Sequence, residues 1–118
     1  MTTHNRLREL MIRVARLERQ AALVDGLQGR NLSGRDLKGM NLSKANLEGA
    51  NLSGADLKEA SLRLANLKRA DLKGADLKEA NLSGANLEGA HLKGATYDDS
   101  TILPSSITRD QLASMIKV

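Results

Sequence analysis

The chain has no cysteine, tryptophan or phenylalanine, and its 118 residues include one tyrosine, Tyr97, and one proline, Pro104. Without cysteine it has no disulfides, iron–sulfur clusters or thiolate zinc sites, which fits a reducing compartment. A conventional core is not expected, because large aromatic side chains usually fill much of one. No apolar run is long enough to predict a transmembrane helix or a secretory signal. We therefore expect a soluble, cytoplasmic protein of one small domain.

Charge is spread along the chain. The net charge is +4, and residues 30–99 contain eleven basic and ten acidic side chains. Electrostatic binding of nucleic acid needs Lys and Arg gathered on one surface, and single strands usually stack on aromatic side chains, so nucleic-acid binding is not expected. The two histidines, His4 and His91, are far apart in the sequence. No catalytic residue, cofactor site or metal site is predicted, and we do not expect an enzyme.

What the sequence has in abundance is a five-residue repeat between Arg30 and Asp99. Leucine falls on every fifth position from Leu32 to Leu92, thirteen times in succession, with alanine two residues before the later ones. Five residues of α-helix turn by about 500°, which would scatter these leucines around the axis. A flat strand would send alternate leucines to opposite faces. The chain must therefore turn after every short extended segment, so that each leucine points to a common axis.

The units Ala45–Gly49, Ala50–Gly54 and Ala55–Glu59 resemble the pentapeptide repeat family, A(D/N)LXX. The resemblance implies a right-handed quadrilateral β-helix of about 3.5 coils, with four units per coil and the leucine and alanine inside. Many members occur in cyanobacteria, which implies a bacterial source. Residues twenty apart should then stack, and three sets recur at this interval: Asp36, Asp56 and Asp76; Lys38, Lys58 and Lys78; and Asn46, Asn66 and Asn86. We expect the lysines to be compensated by neighbouring acids and the asparagines to bond turn backbone.

Both ends of such a β-helix need covering. We assign residues 1–29 to an N-terminal amphipathic helix, residues 30–104 to the β-helix and residues 105–118 to a C-terminal capping helix. The first helix either caps the β-helix or forms a coiled coil with another chain, and the pattern leaves both open. Thr108 and Gln111 form a predicted capping box, opening a helix through Met115 and Ile116, and Ile102 is expected to keep the five-residue register.

The predicted function is that of a non-catalytic structural or protein-interaction module of unidentified partner, which self-associates as a homodimer through its terminal helices. The candidate interaction surface comprises apolar residues of both ends and one exposed leucine: Leu7, Leu10, Val14, Leu17, Leu64, Leu112, Met115 and Ile116. The resemblance implies one alternative, a DNA mimic that modulates DNA gyrase. Members with that role are long, strongly acidic dimers, often with phenylalanine at the centre of the unit, whereas this chain is short, basic and centred on leucine.

Overall fold

The protein was analysed as a computed structural model, which describes residues 26–118. Its named elements are the strand β1 (Thr96–Tyr97), the helix α1 (Arg109–Ser114) and the strand β2 (Ile116–Lys117). The predicted N-terminal helix, with its candidate contact residues, lies outside the described residues: Leu7, Leu10, Val14 and Leu17. Within residues 26–118, no helix has the length and apolar character needed to cross a bilayer.

Single-residue parallel bridges join residues twenty apart along the repeat. They run in unbroken series from Asn31↔Asn51 to Asp76↔Thr96. The N–H of each central leucine from Leu32 to Leu77 donates to a carbonyl nineteen residues later, as Leu32 does to Asn51 at 2.7 Å. Because a sheet ladder forms only between neighbouring segments, four pentapeptides make one coil. The prediction that residues twenty apart stack is confirmed.

The core is a column of leucines surrounded by alanines. The central leucines from Leu27 to Leu92 are at most 3% exposed, and the alanines from Ala45 to Ala95 are buried beside them. Fully burying one leucine side chain stabilises the fold by about 1.5–3 kcal/mol. No polar or charged residue among 26–118 is buried. Arg30 and Arg35, which take the alanine position in early units, are exposed and half-buried respectively.

Each side of the coil ends in a tight turn. The alanine N–H donates to the leucine carbonyl three residues earlier, as Ala45 does to Leu42 at 3.1 Å. The residue before the alanine has φ near +60° to +74°, and it is usually glycine. A positive φ at this third turn position is the mark of a type II turn. The Asn or Asp before each leucine accepts from the N–H two residues later, as Asn46 does from Glu48 at 3.1 Å, so its predicted role is confirmed.

The coil begins one unit earlier than the predicted boundary at residue 30. Leu27 is 1% exposed and belongs to the core. Gly29 has φ +68° and donates to the carbonyl of Glu48 at 2.9 Å, as the turn residues of later units do. Leu27 also keeps the five-residue spacing to Leu32. Residues 27–29 therefore continue the pattern of the coil, and residues 26 and 27 form a short 3₁₀ turn where the description of the chain begins.

The register predicted for Ile102 is wrong. Ile102 bridges Asn81, twenty-one residues earlier, so one extra residue enters the corner after Tyr97. The side chain of Ile102 is 50% exposed, and Leu103 packs against the core instead. Tyr97 packs against the same end of the core.

The predicted capping box is present, but the predicted extent of the helix is wrong. The Thr108 side chain accepts from the N–H of Gln111, and the Gln111 side chain accepts from the N–H of Thr108. The helix α1 ends at Ser114, and Met115 is extended, with φ −84° and ψ 164°. Ile116 then donates to the carbonyl of Ala95 at 2.8 Å. The chain rejoins the coil as β2, which pairs in parallel with β1 and again stacks residues twenty apart.

Candidate functional site

One side of the β-helix, which we call the Asp face, carries a stacked charge ladder. Lys58 lies between two carboxylates, with its Nζ 4.0 Å from Asp56 and 3.9 Å from Asp76. Lys78 is 3.7 Å from Asp76, and Lys38 is 3.6 Å from Glu59. Such solvated pairs contribute at most about 1 kcal/mol each. The ladder compensates its own charge, as predicted, and leaves no row of unpaired lysines to attract an anion.

The opposite side, which we call the Asn face, has Asn46, Asn66 and Asn86 along its middle. The Nδ2 of Asn66 lies 3.2 Å from Glu48 Oε1 and 3.4 Å from Asn46 Oδ1. Each of the three asparagines also accepts from the backbone of its own turn. These amides are engaged within the protein, so they are structural rather than ligand-binding groups.

A cluster of residues, all exposed except the half-buried Lys68, borders the Asn face, and we call it the Leu64 surface: Lys44, Arg63, Leu64, Lys68 and Arg69. Leu64 is 51% exposed and has φ +59°. The left-handed conformation costs a residue other than glycine about 1–2 kcal/mol. Lys44, Glu59, Arg69 and Glu79 also adopt it, but their side chains are charged. Among residues 26–118, Leu64 is the apolar side chain held in this conformation.

Glycines in the next coil fix the side chains at two corners of this surface. A Cβ placed on Gly84 would lie 2.6 Å from Leu64 Cδ2, and one placed on Gly89 would lie 3.1 Å from Arg69 Cγ. Each outer side chain therefore lies along a glycine twenty residues later, in space that another residue would occupy. The sequence spacing of Leu64 and Gly84 could have revealed this contact.

The cations of the Leu64 surface differ from those of the Asp face. Arg69 pairs with Glu48, with 2.6 Å between Nη2 and Oε2. Within residues 26–118, no ion pair joins Lys44, Arg63 or Lys68 to an acidic side chain. The surface thus presents three cations without an ion pair around one exposed leucine, and one of them, Lys68, stacks between Glu48 and Glu88 of the neighbouring coils.

Besides Ile102, the C-terminal end presents three exposed large apolar side chains. Leu112 is 38% exposed, Ile116 is 52% exposed and Val118 is 62% exposed. Met115, predicted as a contact residue, is 8% exposed and belongs to the core, so its assignment to the surface is wrong. It turns inward because the chain becomes extended at this residue. Sequence reasoning missed Val118, which follows β2 in the pattern of the coil.

Side chains add hydrogen bonds to backbone groups at this end. Gln111 Nε2 donates to the carbonyls of Leu87 and Ala90 at 2.7 and 3.3 Å. Asp98 accepts from the N–H of Glu79 at 3.1 Å, and Thr101 Oγ1 donates to the carbonyl of Leu77 at 2.9 Å. Desolvation raises the pKa of the Asp98 carboxyl. Hydrogen bonds from Glu79, Thr101 and Ser100 together lower it by more, so the pKa lies below its ordinary value.

Two shallow grooves lie where α1 meets the last coil. The first, of about 350 Å³, is lined by Asn86, Glu88, Gly89, Ser106, Thr108 and Gln111. The second, of about 290 Å³, includes Lys73, His91, Lys93 and Asp110 in its lining. In the part of the chain that the structure describes, no group of three or more His, Asp or Glu side chains is placed to hold a metal ion.

Comparison with known proteins identifies the five-residue units as pentapeptide repeats. The profile of pentapeptide repeats matches residues 27–63 and 60–96, with eight copies. A pentapeptide repeat protein from Nostoc PCC 7120 is 43% identical, with a TM-score of 0.59, over 78% of this chain and 79% of that one. A comparison with curated proteins gives no match.

Two further solved structures are more distant. A pentapeptide repeat protein from the Arabidopsis thaliana thylakoid lumen is 29% identical, with a TM-score of 0.46, over 76% of this chain and 77% of that one. QnrB1, a plasmid-mediated fluoroquinolone resistance protein, is 16% identical, with a TM-score of 0.33, over 64% of this chain and 51% of that one. Neither likeness carries an argument about the function of this chain.

Proposed function

Since the chain belongs to the pentapeptide repeat family, whose members are right-handed β-helices, we propose that it is a non-catalytic protein-interaction module that self-associates through its C-terminal end. The core of the β-helix is filled by leucine and alanine side chains. Function therefore depends on what the outer faces and the ends bind. The cytoplasmic location expected from the lack of cysteine belongs to the same proposal.

The observation that supports self-association is the exposed apolar group formed by Leu112, Ile116 and Val118. The strand β2 pairs with β1 along one edge, and no other strand among residues 26–118 pairs with it. Unpaired strand edges readily pair with another chain, and a two-fold axis would bring identical patches together. A second copy of this end would cover the three side chains and the edge at once.

The test is the molar mass in solution, measured by light scattering over a range of concentrations. Ile116→Lys should shift the protein towards the monomer, because it buries a charge in the proposed contact. Leu64→Lys is the matched control, since Leu64 is equally exposed but lies on a side of the coil. A monomeric wild-type protein at high concentration, or a dimer unaffected by Ile116→Lys, would contradict the proposal.

A variant lacking residues 1–24 separates the two terminal elements. If self-association uses the C-terminal end, this variant should remain dimeric. Loss of the dimer in this variant, together with a dimeric Ile116→Lys protein, would assign the contact to the apolar residues of the predicted N-terminal helix: Leu7, Leu10, Val14 and Leu17.

The gyrase alternative has less support. A DNA mimic needs an extended acidic surface, whereas residues 26–118 contain thirteen basic and eleven acidic side chains. The stacked aspartates of the Asp face are interleaved with Lys58 and Lys78.

A further inference from the structure

The conformation of Leu64 is unfavourable on two counts. Its backbone is left-handed at φ +59°, and half of its side chain is exposed. The corner directly after it in the same column has Gly84 at φ +70°. Glycine would adopt the same backbone without strain and without an exposed apolar group. Residues held in such conformations cluster at binding sites, where the surrounding structure retains them.

Leu64 is also held in place before any partner arrives. Its Cδ2 lies where a side chain on Gly84 would be, so one side of the leucine rests on the following coil. The stem of Arg69 rests on Gly89 in the same way at the next corner. An apolar side chain fixed in this manner loses little conformational freedom on binding, which favours affinity.

The charges around Leu64 indicate the chemistry of what binds there. Lys44, Arg63 and Lys68 make no ion pair within residues 26–118, whereas the lysines of the Asp face each contact a carboxylate. Unpaired cations beside an apolar residue complement a surface in which carboxylates flank an apolar side chain. Such a rim speeds encounter with an acidic partner, and the central apolar contact provides most of the affinity.

We propose that the Leu64 surface binds an acidic segment of a partner protein, which packs one apolar side chain against Leu64 and places carboxylates near Arg63, Lys44 and Lys68. The inference rests on the proposed interaction role, but it does not depend on self-association. The Leu64 surface lies on a side of the coil, and the self-association contact lies at its end.

The experiment is a selection of displayed random peptides against the full chain, with counter-selection against Leu64→Gly. Enriched peptides should carry Asp or Glu around an aliphatic or aromatic residue. A synthetic peptide of the enriched sequence should bind Leu64→Gly or Arg63→Glu about tenfold or more weakly than the wild type. Glu79→Gly is the matched control, because it makes the same backbone change on the Asp face and should leave peptide binding unchanged.

The stability of Leu64→Gly keeps the test independent of folding. Because glycine relieves the left-handed backbone, the urea midpoint of this variant should be equal to or higher than that of the wild type. The inference is overturned if no peptide is enriched, if the enriched peptides are not acidic, or if they bind Leu64→Gly as well as wild type. A random DNA duplex that binds this surface in preference to the peptides would also overturn it. If Leu64→Gly keeps the molar mass of the wild type, a failure of the peptide test bears on the Leu64 surface alone and not on the self-association proposal.

Discussion

Gln111 offers the sharpest test of how the last coil is closed. In the regular coils, a backbone N–H donates to the alanine-position carbonyl twenty-one residues earlier, as Asn51 does to Arg30 at 2.9 Å. Gln111 is twenty-one residues after Ala90, but it lies in α1, and its Nε2 makes this bond at 3.3 Å. The same Nε2 donates to Leu87 at 2.7 Å, and Oε1 accepts from Thr108 at 3.0 Å. One side chain therefore caps both the coil and the helix.

The substitution Gln111→Glu keeps the acceptor and removes the donor. The carboxylate can still accept from Thr108, but it faces the carbonyl oxygens of Leu87 and Ala90. Each of the two lost hydrogen bonds costs about 1 kcal/mol. The Leu87 carbonyl keeps the N–H of Ala90, but the Ala90 carbonyl is left without a partner, so we expect a loss of about 2–4 kcal/mol in the free energy of closing the cap. Gln111→Met removes both the donor and the acceptor without adding a charge, so it serves as the control for the effect of the carboxylate's charge.

Tyr97 provides a reporter at the same end, because it is the single aromatic residue of the chain and lies in β1 beside β2. Contacts in a coil structure are local, so the cap can open before the coils do. In Gln111→Glu, tyrosine fluorescence should change at lower urea than the far-UV circular dichroism signal. Coincident transitions at the wild-type midpoint would refute the capping role of Gln111.

The same variant should respond to pH in a defined direction. The carbonyls disfavour the charged carboxyl in the folded state, so its folded pKa should exceed the unfolded value of about 4.3. A raised pKa means that the stabilising contribution is present below the unfolded pKa and is lost as pH rises through the folded pKa. The deficit relative to wild type should therefore shrink below about pH 4, when the carboxyl can donate again.

Three further predictions follow from other parts of the molecule. Because the pKa of Asp98 is lowered on folding, its contribution to the free energy of unfolding is present above about pH 4 and is lost as pH falls through its folded pKa. Asp98→Asn should therefore lose less stability than the wild type as the pH is lowered, as measured by urea titrations at a series of pH values. Gly84→Ala should lower the urea midpoint more than Gly54→Ala, because both have positive φ but a Cβ meets Leu64 only at Gly84; equal losses would contradict this. Excess protein should leave gyrase supercoiling unchanged, and inhibition would restore the DNA-mimic alternative.

The sequence was sufficient to predict the coil, because each unit has the same local chemistry. A leucine with a small neighbour points inward, and an Asn or Asp can bond its own turn, so one unit predicts the next. Stacking at twenty could be tested on recurring residues such as Lys38, Lys58 and Lys78. These lysines form ion pairs because acidic side chains occupy neighbouring positions on the same face.

The ends could not be predicted in the same way, since their geometry depends on contacts that no period specifies. The extra residue before Ile102 shifts the register by one and exposes a side chain that spacing alone would bury. The capping box predicted the start of α1, but the return of Ile116 to the coil depends on the free carbonyl of Ala95. The second role of Gln111 likewise arises only after the coils have stacked.

The polar chemistry of the C-terminal end contrasts with its apolar side chains. The N–H of Glu79 and the carbonyls of Leu77 and Ala90 all bond to side chains, so the cap supplies polar partners to the coil below it. Burial of apolar area is the other part of capping, and here it is incomplete. Ile116 stacks twenty residues after Thr96 yet points a half-exposed apolar side chain outward, and Leu112 and Val118 are exposed as well. A cap that served the monomer alone would gain by having polar residues at these positions, and this supports a second chain as their cover.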